Sequence, residues 1–185
     1  MPSGPITDVN AVPAPKWFIK VLRLRVALGF GFAVAGFWLA QPSWPSLAFA
    51  VGIGLVGECL RFWAAGHLEK GVEITTSGPY RWMKHPLYVG SSLLGAAFAV
   101  ASRHMGASVL ILLYVAGLLS TAARVEEANL RTKFGPAYER YASGVTANDL
   151  RRFSFSRARR NGEVRSVFGF VAVLALLAAK VVLVG

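Results

Sequence analysis

The side chains with the most chemical potential are a histidine, a pair of adjacent glutamates and two tyrosines, set in two short polar stretches. His85, with Tyr80 and Tyr88, lies in SGPYRWMKHPLYVG, residues 77 to 90; Glu126 and Glu127 lie in RVEEANLRTKFGPAYERY, residues 124 to 141. Histidine donates or accepts a hydrogen bond near neutral pH. A carboxylate directed toward apolar surroundings requires a ligand or a basic partner. Pro86 disfavours α conformation at His85 and suits the first turn of a helix, so a helix is expected to start there. The amides of Leu87, Tyr88 and Val89 would then lack partners and offer a site for a small anion. Cys59 is the only cysteine, so it forms no intramolecular disulfide and no Cys-based zinc cluster; packing is its expected role, and no metal site is expected.

These polar stretches interrupt a hydrophobic chain. Its 185 residues are 55% apolar, and the mean hydropathy is +0.50, which excludes an ordinary soluble domain. The net charge of +11 does not point to nucleic acid, because the basic residues lie between apolar runs. Apolar segments at 21 to 40, 45 to 66, 87 to 102, 106 to 123 and 164 to 184 approach the ~20 residues needed to cross a bilayer. The expected fold is therefore an all-α, polytopic integral membrane protein with about five transmembrane helices, the third and fourth forming a tight hairpin.

Residues 1 to 20 read as a flexible cytoplasmic tail, 21 to 143 as the core, 144 to 163 as a basic interfacial segment and 164 to 185 as a last transmembrane helix. Lys and Arg crowd the N-terminus, the 67 to 86 loop and the 124 to 163 segment. The positive-inside rule places all three in the cytoplasm, and the expected location is the cell inner membrane. In the 144 to 163 segment, DLRRFSFSRARR sets Leu150, Phe153 and Phe155 among five arginines, a pattern suited to anionic headgroups.

Residues 77 to 90 fit two readings on composition. One is an interfacial anchor, with Tyr80, Trp82 and Tyr88 at headgroup level and Arg81 and Lys84 facing lipid; the other is a ligand site. Gly52, Gly54 and Gly57 permit close helix contact. Glu58 and Arg61, three residues apart on one helix face, are expected to pair. Glu126, Leu130 and Phe134 share a face of the fourth helix, which is expected to continue to Gly135. Glu127 points elsewhere, within reach of Arg124 or Arg131.

The ordered combination of GECLR at 57 to 61, TSGPYRWMKHPLYVG at 76 to 90 and EEANLRTKFGPAYERY at 126 to 141 resembles the isoprenylcysteine carboxyl methyltransferase family. It is also similar to the wider group of membrane methyltransferases that includes phospholipid N-methyltransferases. The resemblance implies S-adenosylmethionine as cofactor, contacted by Val72, Glu73, Ile74, Thr75, Tyr80, His85, Pro86, Leu87, Tyr88 and Glu126. Relatives tend to carry an arginine about one turn before the acidic pair, for the substrate carboxylate. That position here is Ala122, and Arg124, two residues on and rotated to another face, is the substitute.

The implied reaction is methyl transfer to a lipid-like or prenylated acceptor that arrives through the bilayer. Carboxylate O-methylation of an isoprenylcysteine-type substrate is the first expectation, phospholipid amine N-methylation the alternative, and a non-catalytic lipid-binding scaffold the third. The expected partners are the bilayer and a membrane lipid or prenylated small molecule, with no nucleic acid. Oligomeric state is open.

Overall fold

A computed structural model describes residues 29–144 and 151–184. The expected N-terminal tail, the first part of the first helix and residues 145–150 lie outside the described residues. Those described form α1 (Gly29–Leu39), α2 (Trp44–His67), a 3-10 turn (Gly78–Arg81), α3 (Pro86–Ser102), α4 (Met105–Phe134), α5 (Pro136–Ala142), α6 (Phe155–Arg160) and α7 (Glu163–Val184). Among them there is no strand. Three helices, α2, α4 and α7, are long and apolar enough to cross a membrane, whereas α3 is shorter; its 17 residues reach roughly 25 Å. The protein is an integral membrane protein.

Local sequence explains the boundaries. Ser43 and Ser46 form a capping box at the start of α2, with proline in its first turn. Pro86 opens α3 with His85 as its N-cap, as its sequence predicts. Arg103 closes α3 in the left-handed region at φ 49, and His104 caps α4 by accepting from the Ala107 amide. The expected tight hairpin of α3 and α4 is therefore present. Its longer arm, α4, runs unbroken through Glu126 and Glu127 and stops where Gly135 takes φ 48. Its 30 residues extend roughly 45 Å, so its last turns project beyond a bilayer core of ~30 Å.

The core is built on small residues. Ala40, Leu47, Ala50, Ala97, Ala101, Phe170 and Leu177 form its buried cluster. Gly54 seats the Phe170 ring, and a Cβ on Gly57 would lie 2.9 Å from the Gly90 carbonyl oxygen. At Gly57 and Gly90 the backbones of α2 and α3 therefore meet directly. Gly52 meets nothing, and Cys59 is exposed on α2, contrary to its expected packing role.

The expected Glu58–Arg61 pair does not form. Arg61 instead donates Nε and Nη2 to the Glu163 carboxylate of α7 at 3.0 and 3.1 Å, and Nη1 to Ser91 of α3. Glu58 accepts from Ser166 of α7 at 2.8 Å. Helix spacing identifies partners within one helix, but a bidentate guanidinium contact from a neighbouring helix satisfies more of arginine's fork. Glu163 also stands in the first turn of α7, where the helix dipole favours a carboxylate.

A buried pair broken on one side strands a charge, whereas removal of both sides does not. Arg61→Met is expected to lower stability by about 3–5 kcal/mol, and Arg61→Met with Glu163→Met to recover most of it. Thermal unfolding in detergent checks this, and equal losses in the single and double variants would refute the pairing.

Candidate active site

His85, the last residue before α3, faces two consecutive residues of α4. Its Nε2 lies 2.9 Å from Glu127 Oε1, and its Nδ1 lies 3.9 Å from Glu126 Oε2. Tyr88, one turn into α3, stacks on the His85 ring at 5.3 Å between centroids and donates its hydroxyl to Glu126 Oε2 at 2.6 Å. Successive helix positions differ by about 100°, so a carboxylate doublet can straddle one imidazole ring. Glu127 is thus neither directed elsewhere nor paired with Arg124 or Arg131. Arg131 pairs with Glu139 at 3.3 Å. Bonding to a charged carboxylate favours the Nε2–H form of His85 and leaves Nδ1 as the acceptor of the neutral ring.

The free-amide expectation is also revised. The Tyr88 and Val89 amides both donate to the His85 carbonyl, at 3.0 and 3.1 Å. Two of the three proposed anion donors are therefore consumed by the turn itself. Glu126 has a side chain 43% exposed, and its Oε1 has no hydrogen-bond partner among the described residues, so it can receive a ligand's donor.

Beneath this group lies a wall of tyrosines. Tyr80 is buried in the 3-10 turn, and its carbonyl accepts from the Tyr141 hydroxyl at 3.3 Å. Tyr138 is fully buried and packs against Tyr141 at 6.1 Å. Burial, followed by the negative charge of Glu126, raises Tyr80 well above the usual phenol value. Burial also pushes Tyr141 up to about 12, with Tyr138 and Glu126 adding to it. These hydroxyls therefore act as donors and not as bases.

Val72 to Thr75 do not form a strand. They make a turn and an extended stretch, with Val72 exposed and Thr75 buried, its hydroxyl accepting from the Glu69 amide. The surrounding loop is held from two sides. Lys133 at the end of α4 donates to the Gly71 carbonyl. Arg151 pairs with Glu73, and Arg157 donates Nε to Glu69 at 2.7 Å, a bond that holds the Glu69 carboxyl below its usual range. Sequence reasoning missed Lys133, Arg151, Arg157 and the His85–Glu127 bond, because each joins residues far apart in the chain. Arg124 is exposed and is not among the residues brought together around His85.

Away from this polar end, an apolar cavity of about 490 Å³ opens between α1, α3, α4 and α7, with Phe32, Phe98, Ile111, Tyr114 and Leu177 in its wall. Tyr114 precedes Glu126 by 12 residues on the continuous α4, which amounts to roughly 18 Å along the helix.

A helical membrane protein with a carboxylate–histidine–tyrosine cluster at one end of its bundle and an apolar cavity further along is a class suited to chemistry on amphiphiles. Residues 24–137 match the family model of phospholipid methyltransferase. The chain belongs to that family and is a membrane methyltransferase. The match contains the whole cluster from Tyr80 to Glu127 and stops before α6 and α7. No curated protein and no solved structure matches the chain.

The raised phenols carry a pH signature. Their folded values exceed the unfolded value of ~10, so the stability they contribute is fully present below pH ~10 and is lost as pH rises toward about 12. Titration of tyrosinate absorbance is expected to show Tyr80 and Tyr141 ionising late, with Tyr141→Phe removing one late step. Ionisation of all five tyrosines near pH ~10 in the folded protein would contradict the burial argument.

Proposed function

We propose that the protein uses S-adenosylmethionine to methylate the amine headgroup of a phospholipid, at the end of the bundle where α3 begins. Glu126 carries the reading: a partly exposed carboxylate, oriented by Tyr88, faces an imidazole and has one oxygen without a partner among the described residues. A zwitterionic cofactor fits this donor set. Glu126 would hold its ammonium or ribose hydroxyls, the Leu87 amide and the dipole of α3 would favour its carboxylate, and Tyr80, Pro86 and the loop at Val72, Glu73, Ile74 and Thr75 would supply the adjoining wall. When bound, the cofactor supplies a methyl group on a positively charged sulfur.

The chain's own contribution is placement and proton handling. Two carboxylates beside one histidine attract a cationic headgroup more than an anionic one. An ammonium must lose a proton before it can accept a methyl group, and His85 Nδ1, with Nε2 held by Glu127, is placed to take it. This is the arrangement in which a carboxylate fixes the tautomer of a histidine base. An isoprenylcysteine carboxylate needs no such base but does need a cation, and Arg124 stands outside the cluster. The apolar cavity supports a lipid acceptor: its Tyr114 wall lies roughly 18 Å from Glu126, a distance comparable to one leaflet of a ~30 Å core. The basic segments support, by the positive-inside rule, a cytoplasmic orientation of this end, the N-terminus and the cofactor at the cell inner membrane.

The test is label transfer. Reconstituted protein is incubated with cofactor carrying a labelled methyl group and either phosphatidylethanolamine or a prenylcysteine analogue. Base-stable label on the phosphatidylethanolamine headgroup is expected, with His85→Ala lowering the rate by about 100-fold or more, the typical contribution of a general base. Base-labile label on the prenylcysteine alone would replace this reading with ester formation.

A further inference from the structure

Residues 151 to 161, with α6 at their centre, form a strap across the end of α2. Asn161 donates to the Ala65 and Leu68 carbonyls at 2.9 Å each, Arg157 Nη1 to the Gly66 carbonyl at 2.6 Å, and Arg151 Nη1 to the His67 carbonyl at 3.4 Å. The last carbonyls of a membrane helix, ordinarily satisfied by water, are here satisfied by one strap. Phe153 seals the joint, its ring filling the space where Gly66 lacks a side chain and lying 6.0 Å from Phe62. Ala158, on the inner side of α6, is fully buried.

The strap's other side is different. Arg152, Arg159 and Arg165 are exposed, and none has an acidic partner among the described residues. Among the described residues the nearby acids are already used, Glu69 by Arg157 and Arg160, Glu73 by Arg151, and Glu163 by Arg61. Phe155, four residues before Arg159, is 61% exposed although its ring meets Phe62 at 5.4 Å, and Phe168, three residues after Arg165, is 72% exposed. Only Asn161 and Gly162 separate α6 from the membrane-crossing α7, so the surface lies at the depth where hydrocarbon gives way to headgroups.

We propose that the outward side of the 151 to 161 strap, with the first two turns of α7, binds anionic phospholipid of the adjoining leaflet, its phosphates held by Arg152, Arg159 and Arg165 and its acyl chains against Phe155 and Phe168. Charge complementarity identifies the occupant: three unbalanced guanidiniums fit phosphodiesters, and the exposed rings fit a chain-bearing molecule in place of free phosphate. The surface is separate from the His85–Glu126 cluster and does not depend on the reaction assigned to it.

The purified 185-residue chain in neutral detergent is titrated with phosphatidylglycerol or with phosphatidylcholine of the same acyl chains, and bound lipid is followed by native mass spectrometry. Phosphatidylglycerol is expected to bind more tightly, and Arg152→Gln, Arg159→Gln, Arg165→Gln combined to weaken it by about 100-fold, as three surface cations imply. The corresponding triple lysine variant is expected to retain the preference, which separates lost charge from lost fold. Equal affinity of the wild type for the two lipids would overturn the proposal, as would an undiminished preference in the glutamine variant. Displacement of phosphatidylglycerol by equimolar inorganic phosphate would also overturn it, because the site would then recognise free anion and not lipid.

Discussion

The direct contact of α2 with α3 at Gly57 and Gly90 is the constraint on which the remaining geometry rests. A Cβ on either glycine would come within 3 Å of the other's carbonyl oxygen, so no other residue allows the same approach. The contact lies one turn inside Pro86. It therefore fixes the depth of the turn that presents His85 and Tyr88, and it lays the Arg61 side chain along Gly90 toward Ser91. Side-chain hydrogen bonds to α4 then follow from the position of α3.

Around that crossing, the carboxylates at the membrane edge are mostly consumed by arginine. Arg61 is consumed by Glu163, which attaches α7 to the part of the chain matched by the family. Loop carboxylates Glu69 and Glu73 are consumed by arginines of the strap. Glu126 and Glu127 are the exception: among the described residues they share a histidine and a tyrosine and form no ion pair with arginine or lysine, Lys84 and Arg131 acting on Glu127 only at longer range. In a bundle so rich in basic residues, a cluster with excess negative charge is the natural place for a positively charged reactant.

Much of the fold was legible because helix ends are written locally. Pro86 after His85, the short turn at Arg103 and His104, and Gly135 before Pro136 each marked an end that the structure retains. The membership of His85, Tyr88 and Glu126 in one site was legible only through the motif resemblance, since the expected hairpin sets α3 beside α4 without saying which of their side chains meet. Partners were the least legible. Counting three or four residues along a helix paired Glu58 with Arg61 and Glu127 with an arginine. The actual partner of Arg61 stands 102 residues away and that of Glu127 stands 42 residues away. Such pairs depend on which helices touch, and the glycine contacts that decide this carry no side chain to read.

The central claim is that the turn before α3 and the acidic doublet of α4 form one cofactor pocket. Its most direct measurement is calorimetric titration of S-adenosylmethionine into purified wild type, Glu126→Gln and Arg124→Ala. Saturable binding by the wild type, weakened at least about tenfold by Glu126→Gln as expected for a lost charge-assisted hydrogen bond and unchanged by Arg124→Ala, is the predicted result. Absence of saturable binding, or equal affinity of wild type and Glu126→Gln, would contradict it.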